Sequence, residues 1–149
     1  MIKIIGDGGH AKVVREVARF HQPTNRQLIA VGNNADRKRE AERLSGPFAL
    51  LVHPCAMVAQ DVDIGDGTIV MAGVVVQPDT SIGRHCILNT NCSVDHDCIL
   101  GDYVHIAPGA VLCGNVTVGE GALVGAGAVC VPGAVIPPWS LVKAGTVAK

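Results

Sequence analysis

"VDIGDGTIVMAGVVVQPDTSIGRHCILNTNCSVDHDCIL", residues 62–100, places an aliphatic side chain at every sixth position: Ile64, Val70, Val76, Ile82, Leu88, Val94 and Leu100. The register runs back to Val52 and Val58 and forward through Ile106, Leu112, Val118, Val124, Ile136 and Val142, with Cys130 the one non-aliphatic member. Two residues before these positions sits a second apolar or small side chain, as at Val62, Thr68, Val74, Cys86, Cys92, Cys98, Val104, Ala110 and Val116. A helical stripe recurs every ~3.6 residues, so this period excludes an amphipathic helix. It fits short strands separated by turns, the i, i+2 pair forming an inward face. Gly65, Gly83, Gly101 and Gly119 recur every eighteen residues, each at an expected corner where glycine reaches positive φ. Three hexads then close one coil, and the chain is expected to be mainly β: a triangular parallel β-helix of about five coils between residues 52 and 142.

The composition narrows the partners. With net charge −1 and 17% charged residues over 149, the chain offers no electrostatic footprint for nucleic acid or an anionic membrane surface. Its only aromatics are Phe20, Phe48, Tyr103 and Trp139, so the core must be built from Val, Ile, Ala and Gly. No apolar run approaches the ~20 residues of a membrane span, and "MIKIIGDGGH" lacks the apolar core of a signal peptide, so a cytoplasmic chain is expected. The six cysteines include no C-x-x-C pair. Cys86, Cys92 and Cys98 fall on inward positions of consecutive hexads, which reads as packing; no metal is expected.

Ahead of the hexads, "MIKIIGDGGHAKVVREVARF" predicts a strand over Ile2–Ile5, a glycine turn, and a helix with Val13, Val14 and Val17 on one face. Gly6, Gly8 and Gly9 would let backbone amides approach an anion at that helix N-terminus. A nicotinamide dinucleotide would require an acidic residue about twenty positions later. From His21 to Gly32 there is none, which argues against a dehydrogenase. "QLIAVGNN" then predicts a second strand, "ADRKREAERL" a helix and "FALLVHP" a strand leading into the first coil. Residues 1–50 are thus expected to form a small, shortened α/β unit of three parallel strands, and residues 51–149 the coil domain.

The eighteen-residue coil turns spacing into position. His96 and Gly114 differ by eighteen and should stack on the same side of adjacent coils. His105 is half a coil from His96, on another part of the prism. Asn89 plus eighteen is Ala107, which places Asn89 near the His105 side. A site using all four would close only between neighbouring subunits, His96 and Gly114 from one, Asn89 and His105 from the next.

Over roughly residues 50–148 the hexads resemble the hexapeptide-repeat acyltransferases, and the resemblance implies a left-handed β-helix, a homotrimer and acetyl-CoA as co-substrate. Taken with "GDGGH", "IAVGNN" and "LVHP", the chain is similar to bacterial sugar acetyltransferases of the sialic-acid and bacillosamine type. That resemblance implies acetyl transfer to the amino group of a nucleotide-linked sugar, such as a UDP-4-amino-4,6-dideoxy sugar, with Gly8, Gly9 and His10 near its diphosphate and sugar. In the "D-H-D" segment it implies His96 as general base and Asp97 as the acid that orients it, with Asn89 in support. Asp95 competes for the orienting role. It further implies that the Gly114 amide donates to the thioester oxygen and that His105 contacts the acetyl carbonyl or the acceptor. "VKAGTVAK" resembles the closing loop over the coenzyme, which would put Lys143 at its phosphates. The family has a further strand, ending in acidic residues, where this chain has only "HQPTNRQ". Other readings keep the fold: transfer to a small free amine or hydroxyl acceptor, or a non-catalytic nucleotide-binding trimer. A zinc site using His85, His96 and His105 would need the close histidine pair of the prism-shaped carbonic anhydrases, which the sequence lacks.

Overall fold

The computed structural model describes all 149 residues. β1 (Lys3–Ile5), α1 (Gly9–Ala18), β2 (Gln27–Ile29) and α2 (Asn34–Arg43) precede a run of two-residue strands from β3 (Leu51–Val52) to β19 (Val147–Ala148). These short strands sort into three parallel sheets of six, five and six. Successive partners lie eighteen residues apart, as in Ile69↔Ile87 and His105↔Leu123. The fold is therefore a parallel β-helix of triangular section.

Two forces hold the coils. Along each face a backbone N–H donates to a carbonyl seventeen residues on: Ile69 to Cys86 at 3.0 Å, Ile87 to Val104 at 2.9 Å, His105 to Ala122 at 3.0 Å. Inside, the hexad residues stack at 0–4% exposure from Val70 to Ile136, among them Leu88, Val94, Ile106 and Leu112. Each such side chain contributes ~1.5–3 kcal/mol of burial free energy. Cys86, Cys92 and Cys98 lie in this core as the hexads predict. Burial pushes the Cys86 and Cys92 thiols up to about 12, so they are inert packing groups. The two inward threonines are satisfied: Thr68 Oγ1 donates to Gly83 O at 2.9 Å and Thr80 Oγ1 to Asp95 O at 3.0 Å.

The corners differ from the expectation in one instructive respect. Gly65, Gly83, Gly101 and Gly119 do not have positive φ. They are glycine because the next coil passes over them: a Cβ on Gly83 would stand 2.6 Å from Asp102 N, and one on Gly119 2.4 Å from Pro138 N. The left-handed residues come two positions later, in a column of Gly67, His85, Tyr103, Gly121 and Trp139. A left-handed backbone costs a bulky residue roughly 1–2 kcal/mol. Ring packing offsets it: His85 stacks on Tyr103 at 5.3 Å between centroids and meets Phe48 edge-on at 4.5 Å. A second column, Asp79, Asp97 and Asn115, uses side chains that tolerate positive φ.

Before the coils, β1 and β2 pair in parallel, and the expected third strand is reduced to one bridge, Gln27↔Phe48. α1 buries Ala11, Val14 and Val17 against this sheet and the first coil. Val13, expected on that face, is 44% exposed, because the apolar stripe follows the three-residue steps 11, 14 and 17 and position 13 lies one residue off it. One continuous core joins the N-terminal part to the coils, from Ile2 and Ala11 through Leu51 to Ala134. No helix is long and apolar enough to cross a membrane.

Gly67 has φ +80°, and a Cβ there would stand 2.2 Å from His85 Nδ1; Gly109 has φ +67° with nothing within 4 Å. Gly67→Ala should therefore destabilise by about 2 kcal/mol or more, and Gly109→Ala by about 1 kcal/mol, in paired chemical denaturation curves.

Candidate active site

His96 occupies the turn between the strands Ser93–Val94 and Ile99–Leu100, at a corner of the prism. Its backbone N–H donates to Asp95 Oδ1 at 2.8 Å. Its ring Nδ1 lies 2.6 Å from Asp97 Oδ2, so Asp97 rather than Asp95 holds the imidazole. Asp97 reaches the ring despite its short side chain, from a left-handed backbone with φ 59°. The hydrogen bond to Asp97 raises the His96 pKa above that of an ordinary imidazole, and the charges of Asp95, Asp97 and Asp79 reinforce it. Both side chains are exposed.

Gly114 lies one coil on, beneath the ring. A Cβ there would come within 2.7 Å of His96 Cε1 and Nε2, so only glycine admits the imidazole in this pose. An open groove of about 550 Å³ runs past His96, Gly114, Cys113 and Pro132.

The second cluster lies on another face. His105 opens the strand His105–Ile106, directly beneath the N-terminal part. Its Nε2 is 3.1 Å from Asn89 Nδ2; the amide nitrogen can only donate, so Nε2 accepts and the ring proton sits on Nδ1, while the ring lies near the Gly32 backbone. His10, at the start of α1, comes close enough for its charge to bear on His105, and its Nε2 is buried without a hydrogen-bond partner. Burial, helped by the Arg37 guanidinium, pushes His10 and His105 down to about 4, so both are neutral at pH 7. Gly8 and Gly9 are exposed at the N-terminus of α1, with nothing within 4 Å of a Cβ on either. Lys143 is exposed on the turn after Leu141–Val142 and its amine has no partner.

The structure thus brings together His96, Asp97 and Gly114 at one corner, and Asn89, His105 and His10 on another face. No hydrogen bond or shared cavity joins the two within the chain. His85, His96 and His105 do not converge, and no three His, Cys, Asp or Glu side chains form a metal-binding group.

Comparison with known proteins assigns the architecture. The family described as bacterial transferase hexapeptide (six repeats) matches residues 79–114 and 97–132. GDP-perosamine N-acetyltransferase of Escherichia coli O157:H7 is 36% identical over 97 residues, 63% of this chain and 44% of that protein. UDP-N-acetylbacillosamine N-acetyltransferase of Bacillus subtilis is 39% identical over 110 residues, 48% of this chain and 51% of the relative. PerB of Caulobacter crescentus, solved in complex with CoA and GDP-perosamine, superposes with a TM-score of 0.92 at 35% identity, over 99% of this chain and 88% of that one. The chain belongs to the hexapeptide-repeat acyltransferases. It spans about half the length of these two curated relatives.

Two residues of this hexapeptide-repeat chain that matter to the second cluster carry no signal in the sequence. Arg37 and Asn34 sit in "NNADRKREAER", where one arginine looks like the next, yet Arg37 is 1% exposed and touches both the coils and the Val31–Gly32 loop. Only the tertiary structure distinguishes it from Arg39 and Arg43.

Two measurements follow. In Asp97→Asn, the His96 pKa read by NMR titration should fall towards the ordinary imidazole value, because the charge-assisted bond is lost. The neutral histidines set an acid limit on stability. His10, His85 and His105 titrate near 4 when folded against 6.5 for the free side chain, so the unfolded chain binds protons first. Their contribution is fully present above about pH 6.5 and is lost as pH falls towards 4. The melting temperature should drop by roughly 5 °C or more between pH 7 and pH 5, and less in His85→Phe.

Proposed function

We propose that the chain transfers an acetyl group from acetyl-CoA to the amino group of a nucleotide-linked amino sugar, with His96 as general base. The observation that carries this is the corner itself: an exposed imidazole held through Nδ1 by Asp97, its Nε2 edge over a glycine beside an open groove. The relatives support the substrate class, being named for a GDP-linked and a UDP-linked amino sugar, and PerB holds CoA with GDP-perosamine.

The roles follow from charge. As the sugar amine attacks the thioester carbonyl it must lose a proton, and His96 Nε2 accepts it. Asp97 fixes the tautomer with the proton on Nδ1 and stabilises the imidazolium as it forms. The Gly114 N–H donates to the carbonyl oxygen as it becomes negative, a contribution of about 3 kcal/mol for a well-placed donor. The proton returns to the departing coenzyme A thiolate.

His105, neutral and held by Asn89, contacts the acyl group or the acceptor. His10, with its free Nε2, and Gly8 and Gly9 receive the sugar and diphosphate. Lys143 meets the coenzyme phosphates.

Because His96 and His105 lie on different parts of one prism, the complete centre forms between two subunits of a homotrimer. The face carrying Met57, Val75, Ser93, Val111, Val129 and Val147 supports that assembly. It is a mostly apolar column, with Met57 69% and Val147 59% exposed in the single chain.

The test is release of coenzyme A thiol with UDP-linked and GDP-linked 4-amino-4,6-dideoxy sugars and with simple amines. Turnover on one nucleotide sugar, reduced at least ~10²-fold in His96→Ala, is the expected result. The acid limb of kcat/KM should lie above pH 6.5 and move down in Asp97→Asn. Turnover on simple amines alone would give the small-acceptor reading, and none at all a binding scaffold.

A further inference from the structure

α2 is docked on the coils by a polar staple. The carbonyls of His85, Tyr103 and Gly121 follow one another at eighteen-residue intervals along one corner. The coil ladder uses the amide N–H of each of these residues, whereas their carbonyls point away from it. Arg37 and Asn34 cap all three. Arg37 Nε donates to His85 O at 2.8 Å and Nη2 to Tyr103 O at 2.9 Å; Asn34 Nδ2 donates to Gly121 O at 3.0 Å and Ala122 O at 3.2 Å. The remaining Arg37 donors turn the other way, Nη1 to Val31 O at 2.9 Å and Gly32 O at 3.2 Å, and Nη2 also to Asn34 Oδ1 at 2.7 Å.

All five N–H groups of the guanidinium are thereby used, with no carboxylate among the partners. An unpaired cation at 1% exposure is costly to bury. Its bonds are not needed to close the coils, whose ladders run without it. What they fix is the distance between the Val31–Gly32 loop and the coil corner, and it is against Gly32 that the His105 ring and the His10 side chain lie.

We infer that Arg37 is a positioning residue for the acceptor half of the reaction, its fork locking the Val31–Gly32 loop and His10 over His105 while leaving the His96 corner untouched. This rests on the proposed acetyl transfer for its kinetic reading, but the lock itself does not.

The experiment compares wild type, Arg37→Lys and Asn34→Ala. Lysine keeps the charge but has one donor centre in place of a planar fork, so it cannot span both corner carbonyls and the loop. In Arg37→Lys the acceptor KM should rise at least ~10-fold while the acetyl-CoA KM stays within about twofold, a loss of acceptor binding separate from acyl-donor binding. Asn34→Ala should show the same split at about threefold.

Hydrogen–deuterium exchange on the same proteins reads the lock without turnover. Amides of residues 30–34 and 9–12 should exchange faster in both variants, and those of the strands around His96 should not. If wild type acetylates no nucleotide sugar, the functional reading fails while the exchange result still decides the lock. Unchanged acceptor KM in an active Arg37→Lys would overturn the inference, as would unchanged exchange at residues 30–34. Equal loss at both substrates with faster exchange throughout the coils would also overturn it, making Arg37 a general stabiliser. If Arg37→Lys does not fold, Asn34→Ala carries the same decision.

Discussion

Everything in this molecule hangs on the inter-coil ladder, in which an N–H finds its carbonyl seventeen residues later and every side chain finds its neighbour eighteen residues later. Parallel strands of two residues have almost no stability by themselves; they persist because each is hydrogen-bonded above and below and buries an inward aliphatic side chain. The register cannot slip by one residue without turning Leu88, Val94 and Leu100 out of the core. That rigidity gives each outward residue a fixed address, and so a histidine can be set over a glycine with the tolerance of one missing methyl.

The sequence displays what the register dictates and hides what it does not. The hexads are legible because inward positions admit little but aliphatic or small side chains. The stacking of His96 on Gly114 and the approach of Asn89 to His105 then follow by counting. The corners differ from the sequence expectation for a physical reason: Gly65, Gly83, Gly101 and Gly119 mark places where the next coil's backbone passes close, and glycine spacing alone does not distinguish close approach from positive φ. The true left-handed positions include His85, Tyr103 and Trp139, side chains no turn rule would select: the His85 and Tyr103 rings stack on one another, and the Trp139 ring lies over Gly121. Val13 reads as buried only by its company with Val14 and Val17, and is exposed. Arg37 and Asn34 were invisible because their partners lie up to 88 residues away and carry no side-chain signature: they are backbone carbonyls.

The histidines divide by environment into two working states. His96 is exposed beside three carboxylates, which favour its charged form and suit a group that must take up a proton. His10 and His105 are buried beside Arg37; burial, reinforced by the guanidinium charge, favours their neutral form, which suits groups that hydrogen-bond without taking up a proton. Had the two environments been reversed, a charged pair at the N-terminal junction would be desolvated next to a guanidinium. A neutral, unoriented ring at the corner would have lost the carboxylate that makes proton acceptance favourable.

The way the N-terminal part is attached follows from this division. Its apolar contact with the first coils, through Leu28, Ala49 and Leu51, places it on the prism but specifies orientation weakly, because aliphatic contact is non-directional. Orientation comes from the carbonyls of His85, Tyr103 and Gly121, which face outward at ladder-fixed heights and accept only from donors that match them. Arg37 and Asn34 read those heights as a ruler. The His96 corner, built wholly by the ladder, and the Val31–Gly32 loop, hung from it by directional bonds, can vary separately. Changes in the loop need not disturb His96, provided that the guanidinium keeps its five carbonyl and amide oxygens.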